Sequence, residues 1–164
     1  MSPSTSSETS ETAAHRQILT FQLADQVFGV DILRVREIRG WSAVTAVPET
    51  PPHVLGVLNL RGAIVPVIDL RARLGLPGMD ATATTVIIVL TVMADEGRRD
   101  FGLVVDAVSE VTDLHSSDIR PTPAGLGDSN QRSVPSLATL GERMILLLDI
   151  DSMLSGEPEV ALAS

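Results

Sequence analysis

Residues 19–23 alternate, with Leu19, Phe21 and Leu23 apolar and Thr20 and Gln22 polar, the period of a strand with one buried face. A turn at Asp25-Gln26 and the apolar stretch 27–30 predict a hairpin. A helical turn at 32–34 and a strand at 35–39 follow. Residues 40–52 hold three prolines and no regular period, which predicts a loop. Strand character returns at 54–60, breaks at Arg61-Gly62 and resumes at 64–68. Asp69 is placed to cap a short helix over 70–74, stopped by Gly75 and Pro77. After a linker at 78–83, residues 85–93 are almost all apolar or β-branched, the pattern of a strand covered on both faces. A polar tip at 94–100, strands at 101–106 and 108–114, a loop at 121–131 and a strand at 144–148 complete the pattern. Asp149 is placed to cap a last helix through Leu154.

About nine short strands and little helix predict a mainly β fold, barrel or sandwich. The break near residue 80 divides it into halves of about 65 residues, each marginal alone. The two are expected to pack on each other and leave a groove at their junction. The expected division is a disordered tail over 1–15, a domain over 16–155 and a flexible end over 156–164. Within the domain, 16–78 forms the first unit and 84–148 the second, with 149–155 returning to the first.

Charge and composition narrow the function. Of 164 residues, 44% are apolar and 2% aromatic, and 21 acids against 12 arginines leave a charge of −9. There is no lysine. An acidic chain without a basic stripe is a poor partner for nucleic acid. With no Cys, disulfides, thiolate metal sites and a thiol nucleophile are ruled out. The longest apolar runs, 86–90 and 144–148, are far too short to span a membrane. The first 12 residues carry eight Ser or Thr and no signal-peptide pattern, so the expected location is the cytoplasm.

Catalysis has little to stand on. His15, His53 and His115 are far apart and lack metal-ligand spacing. Asp106 with Glu110, or Asp149 with Asp151, would need a nucleophile or metal beside it, and each Asp is better explained as a strand end or helix cap. Nucleophile elbow, phosphate loop and dinucleotide fingerprint are all missing. No cofactor is expected. Two places look built for contact instead. Alternation puts Val35 and Glu37 on one strand face and Arg36 and Ile38 on the other. Asn59 and Arg61 point away from Leu58 and Leu60, and Gly62 can take a positive φ in the hairpin turn. An Arg61–Glu37 pair follows, as a surface salt bridge or as part of a binding site.

These segments carry a family resemblance. The stretch Asn59-Leu60-Arg61-Gly62-Ala63-Ile64-Val65-Pro66-Val67-Ile68-Asp69-Leu70-Arg71 resembles the central signature of the chemotaxis coupling proteins of the CheW family. So do, in order, Phe28-Gly29-Val30-Asp31, Val35-Arg36-Glu37-Ile38, Val47-Pro48 with Pro51 and Gly56, Gly102-Leu103-Val104-Val105-Asp106, and Leu146-Leu147-Leu148-Asp149. The match runs from about residue 18 to 154. It implies two packed SH3-like five-stranded β-barrels with short helices. It also implies a non-catalytic adaptor that joins methyl-accepting chemoreceptor tips to the regulatory domain of the histidine kinase CheA. Such a protein works at the receptor array near the inner membrane, without inserting, as a monomer or weak self-associate. By resemblance the partner-binding residues are Val35, Glu37, Ile38, Asn59, Arg61, Gly62 and Val108. The chain departs from the family at His53, Ser136 and Trp41, and in a longer tip at 94–100. The alternatives are a kinase-associated module of another motility or two-component system, and a small β-barrel enzyme.

Overall fold

In the computed structural model the described residues are 15–78, 80–94, 97–123 and 133–154. The expected tail up to 14, the flexible end, positions 95–96 of the tip and most of the 121–131 loop lie outside them. The strands are β1 (His15–Leu23), β2 (Gln26–Asp31), β3 (Val35–Gly40), β4 (Val54–Leu60), β5 (Ala63–Asp69), β6 (Val86–Ala94), β7 (Gly97–Val105), β8 (Ala107–His115), β9 (Ile119–Pro121), β10 (Ser136–Leu140) and β11 (Arg143–Leu147). Two short helices, α1 (Leu70–Arg73) and α2 (Ile150–Leu154), follow Asp69 and Asp149, and 3-10 turns occupy Ile32–Arg34 and Ser116–Asp118. Both aspartates act as predicted: Asp69 Oδ1 accepts from the Arg71 N–H, and Asp149 Oδ1 from the Ser152 N–H.

Three features differ from expectation. β9 and β10 correspond to no predicted strand, because both are short and mix Pro, Arg, Ser and Thr into their pattern, and only Pro121 of β9 falls in the expected 121–131 loop. Their order comes from pairing with each other and of β10 with β11. The polar tip is shorter than expected, since Met93 pairs with Arg98 and Thr91 with Asp100. Backbone pairing continues there although the side chains are polar. His15, expected in the tail, opens β1 opposite His115.

The strands form a six-stranded sheet, ordered β8-β1-β2-β11-β10-β9, and a five-stranded sheet, ordered β3-β6-β7-β5-β4. Neither order is closed into a ring. The sheets do not follow the halves of the chain, which corrects the expected units at 16–78 and 84–148. β1 and β2, from the first half, sit between β8 and β11 of the second, while β6 and β7 complete the sheet of β3, β4 and β5. Each half runs hairpin, edge strand, hairpin, capped helix, with β9 added before the last hairpin of the second half, and lends its opening hairpin to the other half's sheet. The parallel pairs β2–β11 and β5–β7 are the seams of this exchange. Parallel neighbours need a long connection, which the exchange supplies.

The cores follow the same exchange. A central core between the sheets joins Leu19, Phe21 and Phe28 to Ile68, Ile88, Leu90 and Leu103. A second, within the six-stranded sheet, holds Ile18, Leu114 and Ile145. The third, within the five-stranded sheet, joins Leu60 and Val65 to Ile87 and Val89. Leu58 and Leu60 therefore pack with Ile87 and Val89, and Leu103 with Leu19 and Phe21, not in the two groups that a split at residue 80 predicts. β6 serves both cores, which explains its unbroken apolar run. The loop before β4 is pinned by the bridge from Thr45 to Val57. Gly56 is required there, because a Cβ would lie 2.1 Å from the Thr45 carbonyl oxygen.

Charged clamps hold both places where the chain changes sheet. Asp106 lies between β7 and β8. It accepts from Arg71 Nε at 2.8 Å and from Nη2, while its Oδ2 also takes the Ala24 N–H of the β1–β2 turn at 2.8 Å. The Arg71 side chain is only 10% exposed, and its Nη1 donates to the Pro77 carbonyl. At the other crossover, Arg34 forks onto Asp151 of α2 at 2.8 and 2.7 Å, and Asp151 Oδ1 accepts the Met93 N–H. The polarity is reversed: the first clamp has its acid on the crossover, the second its arginine. α2 is thus tied to both halves, and Arg73 also donates to the Met153 carbonyl.

Two predictions follow from the packing. Ile87→Ala removes a fully buried side chain from β6 and is expected to cost about 2–5 kcal/mol in denaturant melts. The halves 1–78 and 84–164, made separately, are each expected to lack a cooperative transition and to regain one on mixing. A third concerns pH. The hydrogen bonds from Arg71 are the main cause holding the Asp106 carboxyl below its ordinary value, against burial, with the Ala24 N–H adding to the lowering. A group depressed on folding stabilises above its unfolded pKa, and that stability is lost as pH falls through the folded pKa. Asp106→Asn should flatten the acid limb of the stability curve below about pH 4, while costing about 3 kcal/mol at pH 7 by removing the carboxylate charge that faces the nearly buried Arg71 guanidinium.

Candidate functional site

The β4–β5 hairpin closes through Arg61 and Gly62, with Leu60 paired to Ala63. Their φ angles are 52° and 91°, the signs of a type I′ turn. Gly62 meets that demand freely, whereas an arginine at positive φ is strained by about 1–2 kcal/mol. The Asn59 side chain steadies the turn, its Oδ1 accepting the Gly62 N–H at 2.9 Å. Arg61, 80% exposed, is thereby aimed at Glu37 on β3, Nη2 to Oε1 at 2.5 Å. Arg39 approaches the other carboxylate oxygen at 3.5 Å. The Arg61 hydrogen bond is the main cause that lowers the Glu37 pKa, opposed by desolvation and aided by the charges of Arg61 and Arg39.

β3 and β4 are the opposite edges of the five-stranded sheet. The Glu37–Arg61 pair therefore spans the gap between first and last strand, so the sheet is curled until its edges meet through side chains. The predicted pair is present.

The expected placement of Val35 and Glu37 on one face is corrected. A bulge at Arg36 sets Val35 opposite Leu90 and Glu37 opposite Val89. Leu90 faces the central core and Val89 the core of the five-stranded sheet, so Val35 and Glu37 turn to opposite faces. A β-bulge adds one residue and thereby inverts strand parity. Past the bulge, Ile38 lies opposite Ile88, on the central-core side, yet 45% exposed.

β8 repeats this arrangement. A bulge at Ser109 separates Val108, opposite Phe21, from Glu110, opposite Thr20. Arg143, just after the β10–β11 turn, stands 3.6 Å from Glu110. Val35-Arg36-Glu37-Ile38 and Val108-Ser109-Glu110-Val111 are thus the same device on the two sheets. Val108 is half-buried against the central core. The exposed apolar side chain here is Val111, opposite Leu19, the counterpart of Ile38. Sequence alternation missed Val111 because the bulge shifts the parity; the repeated Val-x-Glu-apolar motif was the available signal. The edge strands so carry Ile38 and Val111 on the sides of their sheets that share the central core.

Arg61→Asn should relax the turn, since Asn tolerates positive φ. Its melting temperature is expected to equal or exceed that of the unchanged protein, and the Glu37 carboxyl should titrate at a higher pH by NMR.

The profile of the CheW-like domain matches residues 17–157. A chemotaxis protein CheW of Klebsiella aerogenes is 44% identical over 147 residues, covering 90% of this chain and 86% of the relative. A probable chemotaxis protein CheW of Rhizobium etli is 43% identical over 140 residues, covering 85% and 88%. Among solved structures, the scaffolding protein TtCheW of Thermoanaerobacter tengcongensis superposes with a TM-score of 0.77 at 31% identity, covering 87% of this chain and 97% of that one. Two interleaved sheets, the strained Arg61-Gly62 turn and matches over nearly the whole described length lead to one conclusion: the chain belongs to the CheW-like family.

Proposed function

We propose that this chain is a non-catalytic adaptor that couples methyl-accepting chemoreceptors to the regulatory domain of the histidine kinase CheA. The observation that carries this reading is the Glu37–Arg61 pair, held on a strained turn with the arginine almost fully in solvent. Stability alone gives no reason to keep an arginine where Asn or Gly fits better. A recognition role does, because strain persists where surrounding structure and function maintain it. The receptor tip is assigned to the groove edged by β3 and β8, with Val35, Glu37, Ile38, Asn59, Arg61, Gly62 and Val108 as its contact and positioning residues, and Val111 added. Kinase contacts are assigned to the ends of the two curled sheets.

Each sheet, curled around its own core, is taken as an SH3-like barrel whose ladder stays open at one seam. On the β3–β4 side the Glu37–Arg61 pair bridges that seam. The site of action is the receptor array on the cytoplasmic side of the membrane. No described helix is long and apolar enough to cross a membrane.

The test is capture by receptor-bearing membranes beside capture by the kinase regulatory domain. Arg61→Ala and Glu37→Ala should each weaken receptor capture by about tenfold to a hundredfold, with kinase binding and melting temperature near those of the unchanged protein. A double-mutant cycle should show non-additive losses, as expected of residues in contact. Unchanged receptor capture in both single variants would remove the site assignment.

A further inference from the structure

Glu37 has two arginine neighbours and one carboxylate to offer them. Arg61 reaches it from the β4–β5 turn at 2.5 Å. Arg39 reaches it from the same strand at 3.5 Å, the length of a weak hydrogen bond. The two arginines are held very differently. Arg61 stands on a two-residue turn, with Glu37 as its only acceptor among the described residues. Arg39 lies opposite Ile87, as Glu37 lies opposite Val89, so both rest on the face that covers the core of the five-stranded sheet.

Arg39 is the incompletely satisfied member of the set. Its Nε is buried and meets no acceptor among the described residues, a costly state for a polar donor. Among the causes that lower the Glu37 pKa, the Arg61 hydrogen bond comes first and the Arg39 hydrogen bond last. The cluster thus sets two guanidinium charges against one carboxylate that is only 25% exposed, with the better bond on the more exposed arm. A contact that drew Arg61 outward would leave that carboxylate unpaired if no second cation stood beside it. An unpaired charge at this depth weakens the contact that creates it.

We propose that Arg39 is a positioning residue of the receptor site: when Arg61 turns to an acceptor on the docked partner, Glu37 closes onto Arg39. The exchange keeps Glu37 charged and in place, and gives the Arg39 guanidinium the acceptor it lacks in the free protein. It has a direction, because Arg61 is 80% exposed and Arg39 37%. A partner drives it through its greater affinity for the arrangement in which Arg61 is released. The proposal rests on the assignment of receptor binding to the Glu37–Arg61 pair, and adds to it a residue that acts through Glu37.

The test follows the arginine Nε–H signals of the full chain by NMR, that of Arg39 being identified by its loss in Arg39→Lys. In Arg61→Ala, which imitates a departed Arg61, the Arg39 signal is expected to shift and to exchange more slowly with water as it gains the carboxylate. The Glu37→Gln/Arg61→Ala double variant should lack that change. An Arg39 signal that Arg61→Ala leaves unmoved would overturn the exchange, and this arm needs no receptor. The second arm is capture by receptor-bearing membranes. Arg39→Ala and Arg39→Lys are each expected to weaken capture about tenfold, since lysine keeps the charge but has no Nε–H. Full capture by Arg39→Lys would reduce the residue to a charge and overturn its positioning role. Unchanged capture in Arg39→Ala beside a loss in Arg61→Ala would overturn that role and leave the receptor-site assignment standing.

Discussion

The carboxylate of Asp106 carries an unusual share of the architecture. It stands where the backbone leaves the five-stranded sheet for the six-stranded one, and it holds α1 of the former and the β1–β2 turn of the latter at once. Its partner Arg71 is nearly buried, which makes the pair strong only because each of its three guanidinium nitrogens has an acceptor. The Arg34–Asp151 fork does the same for the other crossover with the charges exchanged. Between the two clamps lies the central core, built from both sheets. The relative placement of the two edge strands depends on these crossovers being rigid.

That rigidity gives meaning to the candidate site. Glu37 sits on an edge strand behind a bulge, and Arg61 on a two-residue turn; neither position is defined by helix or central strand. Both are instead defined by curvature, which brings β3 and the β4–β5 turn together, and by Asn59, which holds the turn shut. The counterpart on β8 uses the same bulge with a looser pair, Glu110 with Arg143. One local design, used twice, gives each edge strand an exposed aliphatic residue, Ile38 or Val111.

Much of this was legible in the sequence. Alternation located nine strands, and Asp69 and Asp149 announced their helices, because burial and capping are local. Arg61-Gly62 announced its turn through Gly62. Pairing across the halves was not legible. A strand carries no local mark of a partner some 90 residues away, as Thr20 and Glu110 are, and a break near residue 80 suggests two units even where the sheets disregard it. The bulges escaped for a related reason: they add a residue without changing its type, so parity arguments put Val35 and Glu37 together and passed over Val111. β9 and β10 were too short and too polar for any periodicity to register.

The interleaving also orders events in time. As the chain leaves the ribosome, the five-stranded sheet has all its strands once Val105 has emerged. The β1–β2 hairpin, although made first, has no parallel neighbour until β11 ends at Leu147. Its apolar face, with Leu19, Phe21 and Phe28, can begin to cover the nascent five-stranded sheet, but Ile18 on the opposite face must wait for β8 and β11 to bury it. Late, long-range pairing of this kind slows folding and leaves strand edges open. The first of the described strands to be made are thus among the last to be completed, and the nascent sheets are most exposed to misassembly just before β10 and β11 arrive.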